Sequence, residues 1–402
     1  MNKDCSGYLG IDVGKYHHQA CLTDNQGEVL FSIQFSANCQ GLKKLLKHLN
    51  KRIDNQELNK VQAGLEATGI YWMTLYEQLT KLGMKTVVLN PLQVKACQNR
   101  NIRGNKTDRI DAQLIAEILR FGQYRPSCVP DEDDFELRQL TRLRSDLVSL
   151  TTGLKVKVMG LMDQTFPEYK DLFRDVFSTT SRELLRKAVL PEQIAAISTK
   201  RLAQILKKAS RGRLGIKKAK DIQKTASCSL GITLGMNALS LSIKILLDQI
   251  GHLEGQVSQL EREIEKLFVK RKTTLTSIPG VGKITGAAIK AEIGNFDRFI
   301  NDKDGAQKLV ALAGIDPRIR ESGQYRGKTK MSKRGSSYLR KAVRQAAFSA
   351  VHVAKDQMFA SLYQKHIKKG KHSEVALSHV ERKLLHVIYS LLKNKREYQP
   401  RL

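Results

Sequence analysis

The spacing of hydrophobic positions changes character along the chain. Over residues 7–122 short apolar runs alternate with polar turns. Gly7 to Asp12, Gln19 to Thr23 and Val29 to Phe35 read as three antiparallel strands, with the turn signal Asp24-Asn25-Gln26-Gly27 between the second and third. Leu42, Leu45, Leu46 and Leu49 then repeat at helical spacing. Val61 to Leu65 predicts a fourth strand, residues 70–82 a helix, and Thr86 to Leu89 a fifth strand stopped by Asn90-Pro91. From 135 to 270 the pattern is helical almost throughout. Leu140, Leu143, Leu147, Leu150 and Leu154 step by three and four, as do Leu239, Ile243, Leu246, Ile250, Leu253, Val257, Leu260, Ile264 and Leu267. That second series predicts a coiled coil, paired as an antiparallel hairpin or across subunits. Residues 273–402 form a third stretch, mostly helical, ending in an apolar helix over 375–394.

The order β-β-β-α-β-α-β-α of the first stretch is that of the ribonuclease H-like fold. We therefore expect an α/β domain over residues 1–125, a helical, coiled-coil region with a basic insertion over 126–272, and a mostly helical C-terminal domain over 273–402. At 402 residues the chain is too long for a single core. Composition then narrows the function. Lys plus Arg is 69 and Asp plus Glu is 39, a net charge of +30 that suits a polyanion partner. No apolar run approaches a transmembrane span, so nucleic acid is favoured over membrane. Six scattered cysteines without a C-x-x-C pair, and a start without an apolar signal core, lead us to expect a reduced, cytoplasmic protein.

The charge is concentrated. Residues 200–224 hold ten cations against Asp221, among them Lys207, Lys208, Arg211 and Arg213. Residues 318–344 hold ten against Glu321, among them Arg318, Arg320, Arg326, Lys328, Lys330, Lys333 and Arg334, punctuated by glycine. Both stretches read as phosphate-contacting surfaces. Ile278-Pro279-Gly280-Val281-Gly282-Lys283 leads into an apolar-periodic helix and resembles a helix-hairpin-helix turn, in which the N–H groups of Gly280 and Gly282 can meet a phosphate beside Lys283. A bare Pro-Gly turn is the alternative.

The candidate chemistry lies in carboxylates. Asp12 ends the first strand and Glu66 the fourth, neighbours in a ribonuclease H-like sheet. Asp108 and Asp111, three apart, share one face if a helix begins there. Four gathered acids suit hard divalent cations, and two Mg²⁺ can serve phosphoryl transfer. Asp131-Glu132-Asp133-Asp134 is consecutive, cannot make one cage, and is read as complementing the dipole of the helix that follows. Tyr71 and Trp72 are read as core anchors rather than base-stacking residues.

Asp12, Glu66, Asp108 and Asp111, with Glu66-Ala67-Thr68-Gly69, Asn90-Pro91 and Asn105-Lys106-Thr107-Asp108, resemble the DEDD transposases of bacterial insertion sequences, the IS-one-ten family, related to the Piv and MooV invertases. Ala313-Gly314-Ile315-Asp316-Pro317-Arg318, Glu321-Ser322-Gly323 and Met331-Ser332-Lys333-Arg334-Gly335 are similar to that family's C-terminal domain. The resemblance covers 7–122 and 273–394, and residues 166–236 carry no motif of it. It implies a RuvC-like domain binding Mg²⁺ through the four acids, with Ser322 as the nucleophile of a phosphoserine–DNA link. It also implies donor and target duplex DNA as substrates and a structured bridge RNA as guide. A bacterial, nucleoid-associated tetramer would share its active sites between subunits. The sequence leaves the size of the homo-oligomer open, dimer or tetramer, and spacing alone does not separate Ser322 from Ser332, Ser336, Ser337 or Tyr325. A structure-selective nuclease such as a Holliday-junction resolvase, with water as nucleophile, would use the same acids. A non-catalytic nucleic-acid-binding protein would use none of them.

Overall fold

Two apolar faces organise the N-terminal part of the protein. In the computed structural model, which describes residues 6–53, 55–67, 69–98, 107–271, 273–300, 302–318, 321–322, 325–326 and 330–400, the chain forms two compact units, Met1–Val129 and Pro130–Leu402. The first holds β1 (Gly7–Val13), β2 (His17–Thr23), β3 (Val29–Ser36), α1 (Cys39–Leu49), β4 (Val61–Glu66), α2 (Trp72–Lys81), β5 (Lys85–Leu89), α3 (Pro91–Gln98) and α4 (Asp108–Phe121). The sheet order is β3-β2-β1-β4-β5. β1, β2 and β3 run antiparallel, and β4 and β5 run parallel to β1. This mixed sheet is consistent with the ribonuclease H-like reading.

Alternation along β1 and β4 sends Leu9, Ile11, Val61, Ala63 and Leu65 to one face, where they bury against Leu45 and Leu49 of α1 and Leu75 and Leu79 of α2. The other face receives α4, whose Ala116 and Leu119 pack on Tyr8. The helix sits at backbone distance. A Cβ on Gly10 would lie 2.1 Å from the Ala112 carbonyl oxygen and 2.4 Å from the Ala116 nitrogen, so only glycine fits there. α4 starts cleanly because the Thr107 side chain accepts from the Ile110 N–H at 3.3 Å.

The second unit is built on two 34-residue helices, α5 (Glu132–Thr165) and, after an intervening set, α11 (Met236–Val269). They run antiparallel: Arg144 pairs with Glu261 at 2.6 Å and Lys155 with Glu254 at 2.8 Å. Between them α6 (Tyr169–Leu172), α7 (Thr179–Lys187), α8 (Pro191–Ala195), α9 (Thr199–Ala209) and α10 (Ile216–Ser227) occupy the stretch without motifs. Their Leu184, Leu185, Leu202, Leu206 and Ile222 form one core with Val158 and Met162 of α5 and Ile243, Leu247 and Ile250 of α11. The predicted leucine seam is therefore used within the chain. Ile243, Ile250 and Ile264 are buried, while Leu246, Leu253, Val257, Leu260 and Leu267 flank them half-buried.

A 3₁₀ turn, Leu275–Ser277, then leads to α12 (Lys283–Ile293), α13 (Asp297–Ile300), α14 (Gly305–Ala313), β6 (Pro317–Arg318), β7 (Glu321–Ser322), β8 (Tyr325–Arg326), β9 (Lys330–Met331), α15 (Ser337–His352), α16 (Gln357–Lys368) and α17 (Ser373–Asn394). β6 pairs with β9 and β7 with β8, both antiparallel. Ala287 and Ala291 of α12 bury against Leu137, Ile264 and Phe268 of the long helices. The boundary expected at 272/273 thus falls inside one unit, because the helical pair supplies part of the core on which α12 rests.

Candidate active site and nucleic-acid surfaces

β1 and β4 are adjacent and parallel with Ile11 opposite Leu65, so Asp12 and Glu66 come next at the same ends of both strands. Each lies two residues beyond a glycine, Gly10 or Gly64, whose added Cβ would strike α4, which places both acids on the α4 side of the sheet. Asp108 and Asp111 occupy the first turn of that helix. Thr107 rather than Asp108 is the cap. Asp111 is 8% exposed, and Gln98 donates from Nε2 to its Oδ1 at 2.8 Å. The other three carboxylates are felt at Asp12. Burial first, then the carboxylates of Asp108, Asp111 and Glu66, push its pKa up to about 6. Among the described residues, no three His, Cys, Asp or Glu side chains close into a ready cage for a metal ion. The acids converge on one end of the sheet without forming a finished coordination shell.

The acidic run plays the other part expected of it. Asp131 caps α5 by accepting from the Asp134 N–H at 2.6 Å, and Glu132, Asp133 and Asp134 fill its first turn. Asp134 is buried and ion-paired with Arg271.

Two of the three alternative serines have structural employment. Ser332 Oγ donates to Asp316 at 2.5 Å, and Ser336 caps α15 while donating to Glu292 at 2.7 Å. Ser337 is exposed. Ser322 pairs through its backbone with Tyr325. The side chains of Ser322, Tyr325 and Arg326, and Arg320 and Lys328 altogether, lie outside the described residues.

Of the candidate phosphate contacts, Lys207, Lys208, Arg211 and Arg213 are exposed around the α9–α10 turn. None of these four has an ion-pair partner among the described residues. Leu202, Leu206 and Ile222 hold that pair of helices to the core, so the cations face outward. Arg318, Lys330, Lys333 and Arg334 are exposed as well. At the Pro-Gly turn the glycines divide. Gly280, at φ 89°, is pressed onto α15, where an added Cβ would lie 2.4 Å from the Ala350 nitrogen, so packing already requires it. Gly282 is the exposed residue preceding α12, beside Lys283, which pairs with Glu265 at 3.2 Å.

Comparison with known proteins decides the family. Residues 9–167 match a transposase family model of the DEDD type, and residues 272–364 match the model described as Transposase IS116/IS110/IS902 family. The chain belongs to this transposase family. A transposase cuts and rejoins DNA, so the +30 chain has its polyanion. It is similar to the uncharacterized 44.8 kDa protein of insertion element IS116 from Streptomyces clavuligerus, 25% identical over 98% of this chain and 96% of that protein. It is also similar to the pilin gene-inverting protein of Moraxella lacunata, 24% identical over 98% of both chains. A third relative is the transposase for insertion sequence element IS1111A from Coxiella burnetii, 23% identical over 97% of this chain and 91% of that one. No described helix of the transposase is long and apolar enough to cross a membrane.

Two features of the transposase were missed by residue patterns. Glu292 is buried on α12 and takes both a bidentate Arg142 pair, at 2.6 and 2.9 Å, and the Ser336 hydroxyl. It ties α5, α12 and the start of α15 together. An isolated Glu in an apolar-periodic helix gives no signal of that. The second is Tyr71. Trp72 is buried as expected, but Tyr71 is 41% exposed, which corrects its reading as a core anchor. It immediately precedes α2 and lines the mouth of a cavity, whereas Trp72 opens the helix on its core side.

Proposed function

We propose that this transposase performs Mg²⁺-dependent, site-specific strand exchange through a covalent phosphoserine–DNA link at Ser322. A structured bridge RNA encoded by its element guides it, and it works as a homo-oligomer, dimer or tetramer. The observation that carries the metal part is Asp12. Burial first, and then the carboxylates of Asp108, Asp111 and Glu66 gathered at the same end of the sheet, push its pKa up to about 6, and a cation bound there would offset their repulsion. An all-oxygen donor set fits a hard dication, and Asp12, Glu66, Asp108 and Asp111 are the residues that would hold it. Bound there, Mg²⁺ supplies Lewis acidity to a scissile phosphate.

The chain's own residues do the rest. The Ser322 hydroxyl attacks phosphorus: an Oγ–P bond forms, the P–O bond to one DNA end breaks, and the departing oxygen takes up a proton. Reversal with a different DNA end rejoins the backbone without net hydrolysis. The exposed cations Lys207, Lys208, Arg211, Arg213, Arg318, Lys330, Lys333 and Arg334, with Arg320, Arg326 and Lys328 beside them in sequence, hold phosphates of DNA and guide RNA. The family match, with its gene-inverting relatives, supports recombination over simple nicking.

The test is denaturing electrophoresis of the wild type and Ser322→Ala on a labelled donor duplex with its guide RNA, followed by peptide mapping. The wild type should yield a DNA adduct on Ser322, and the variant should bind but neither cut nor attach. An adduct on Ser332, Ser336, Ser337 or Tyr325 would move the nucleophile. Normal cutting by Ser322→Ala, with nicked products only, would give the reaction to water and favour a resolvase-like nuclease.

A further inference from the structure

A cavity of about 490 Å³ opens in the N-terminal unit on the sheet face opposite α4, between α1 and α2. Phe35, Leu42 and Leu75 line it, Lys15 and Tyr71 stand exposed at its edge, and His18 lies in its wall. His18 is 6% exposed, its ring meets Phe35 edge-on at 5.2 Å between centroids, and its buried Nδ1 has no hydrogen-bond partner among the described residues. Burial holds its pKa below the ordinary imidazole value, with the nearby charge of His17 adding to the effect, so the ring is neutral and can offer one donor and one acceptor. Buried polar atoms are almost always paired, and one that is not, in the wall of a concavity, marks a place where a ligand atom belongs. The volume falls in the roughly 300–1,000 Å³ range of small-ligand pockets, which are mostly apolar with a few fixed polar groups.

We propose that this cavity accepts an unpaired nucleobase of the nucleic acid on which the transposase works. The chemistry matches part by part. A planar base needs an apolar slot and an aromatic neighbour, supplied by Phe35 and Tyr71. It needs a hydrogen-bond partner for its edge, supplied by His18 Nδ1. It carries a phosphate just outside the slot, where the Lys15 ammonium stands. The placement fits as well: Gly14, in the cavity wall, is two residues beyond Asp12. The acids lie on the α4 side of that strand end and the cavity on the other side, so a strand engaged at the acids would turn round the end of the sheet to leave one extruded base here. The proposal rests on the reading of the acids as the DNA-cutting end of the sheet.

The test uses the full-length protein and two mixed-sequence oligonucleotide duplexes, one with a single unpaired 5-iododeoxyuridine and one fully paired. A third probe carries 5-iodouridine in an RNA strand of the same sequence. Thr74, exposed on α2 and lining the cavity, is changed to Trp to fill it, and Tyr71→Ala removes the aromatic edge. Irradiation should attach the unpaired iodinated base to the peptides carrying His18 or Tyr71. The adduct should vanish in Thr74→Trp, and Tyr71→Ala should weaken binding of the unpaired probe about five-fold or more while barely changing the paired one. Whether the DNA or the RNA strand reacts names the source of the base. Adducts confined to residues 200–224 or 318–344, or an unchanged adduct in Thr74→Trp, would overturn the pocket while leaving DNA cutting intact. Failure to bind any of the three probes would overturn the nucleic-acid reading with it.

Discussion

Asp12→Asn should make the metal-free protein more stable while abolishing strand cleavage. Asn keeps the shape of Asp and removes one charge from a site where four meet. The carboxyl of Asp12 moves from an ordinary value of 3.8 to about 6 in the fold. At about 1.4 kcal/mol per pH unit, ionising it in the folded protein costs about 3 kcal/mol, which water at the open end of the strands trims to about 2–3 kcal/mol. The sign follows from proton binding. Between pH 3.8 and about 6 the folded state holds more protons than the unfolded one, so wild-type stability falls as pH rises through that window and the penalty is complete above it. Urea titrations without divalent metal should therefore show the variant ahead by about 2–3 kcal/mol at pH 8 and by about half of that at pH 5. Adding Mg²⁺ at about a hundred times its Kd should stabilise the wild type by about 2.7 kcal/mol and the variant much less. Equal stabilities at pH 8 without metal, or a gap that does not shrink at pH 5, would refute the argument that burial and the neighbouring acids together disfavour the charge on Asp12.

Other perturbations test other parts of the molecule. Replacing Arg211 and Arg213 by Ala should lower the slope of log affinity against log salt by about 0.9 for each phosphate of duplex DNA that is no longer neutralised, with folding unchanged by circular dichroism. Glu292→Ala leaves the Arg142 guanidinium without its partner beside a core, and should cost about 2–4 kcal/mol in denaturant titration. Gly280→Ala should destabilise by about 2 kcal/mol or more, since it adds both a left-handed backbone penalty and a clash with α15. The rings of His366 and His379 stack 3.8 Å apart, and each is held below the ordinary imidazole pKa of 6.5, by burial first and then by neighbouring cations including Lys371. Their neutral forms are favoured in the fold, so stability should fall as pH drops below about 6.5, and His379→Gln should flatten that fall when unfolding is followed at pH 7.5 and 5.5.

Period and punctuation made much of this legible. Strands such as Val61–Glu66 alternate one buried face, and Asn90-Pro91 stops β5 where it must, so the sheet could be laid out in order from the chain. The acids were visible because strand ends and a helix start are local features, and the electrostatic coupling at Asp12 joins all four. What was not legible depended on which surface meets which. The leucine series of α11 has the same spacing whether its partner is α5 or a second copy, and only the tertiary arrangement shows Ile243, Ile250 and Ile264 buried within the chain. Gly280 reads equally as a phosphate-binding turn or a packing turn until Ala350 is found behind it. Tyr71 and Trp72 are adjacent aromatics whose fates differ because a helix turns about 100° per residue, sending one inward and one to a cavity mouth.

The hydrogen atom that serves as the side chain of Gly10 has consequences for how this enzyme tolerates variation. Because α4 lies against β1 at backbone distance, the depth of Asp111 relative to Asp12 is set by the absence of a methyl group, not by any reactive atom. Alanine at Gly10 would wedge the helix outward from its first turns and carry Asp108 and Asp111 with it, changing the spacing of the acids as a shim changes the gap of a vice. In a saturation screen for recombination, Gly10 should then be as intolerant as Asp12 two residues later, although it touches no substrate and carries no charge. A census of catalytic residues drawn up by chemical reactivity would pass over the position that sets the gauge of the site.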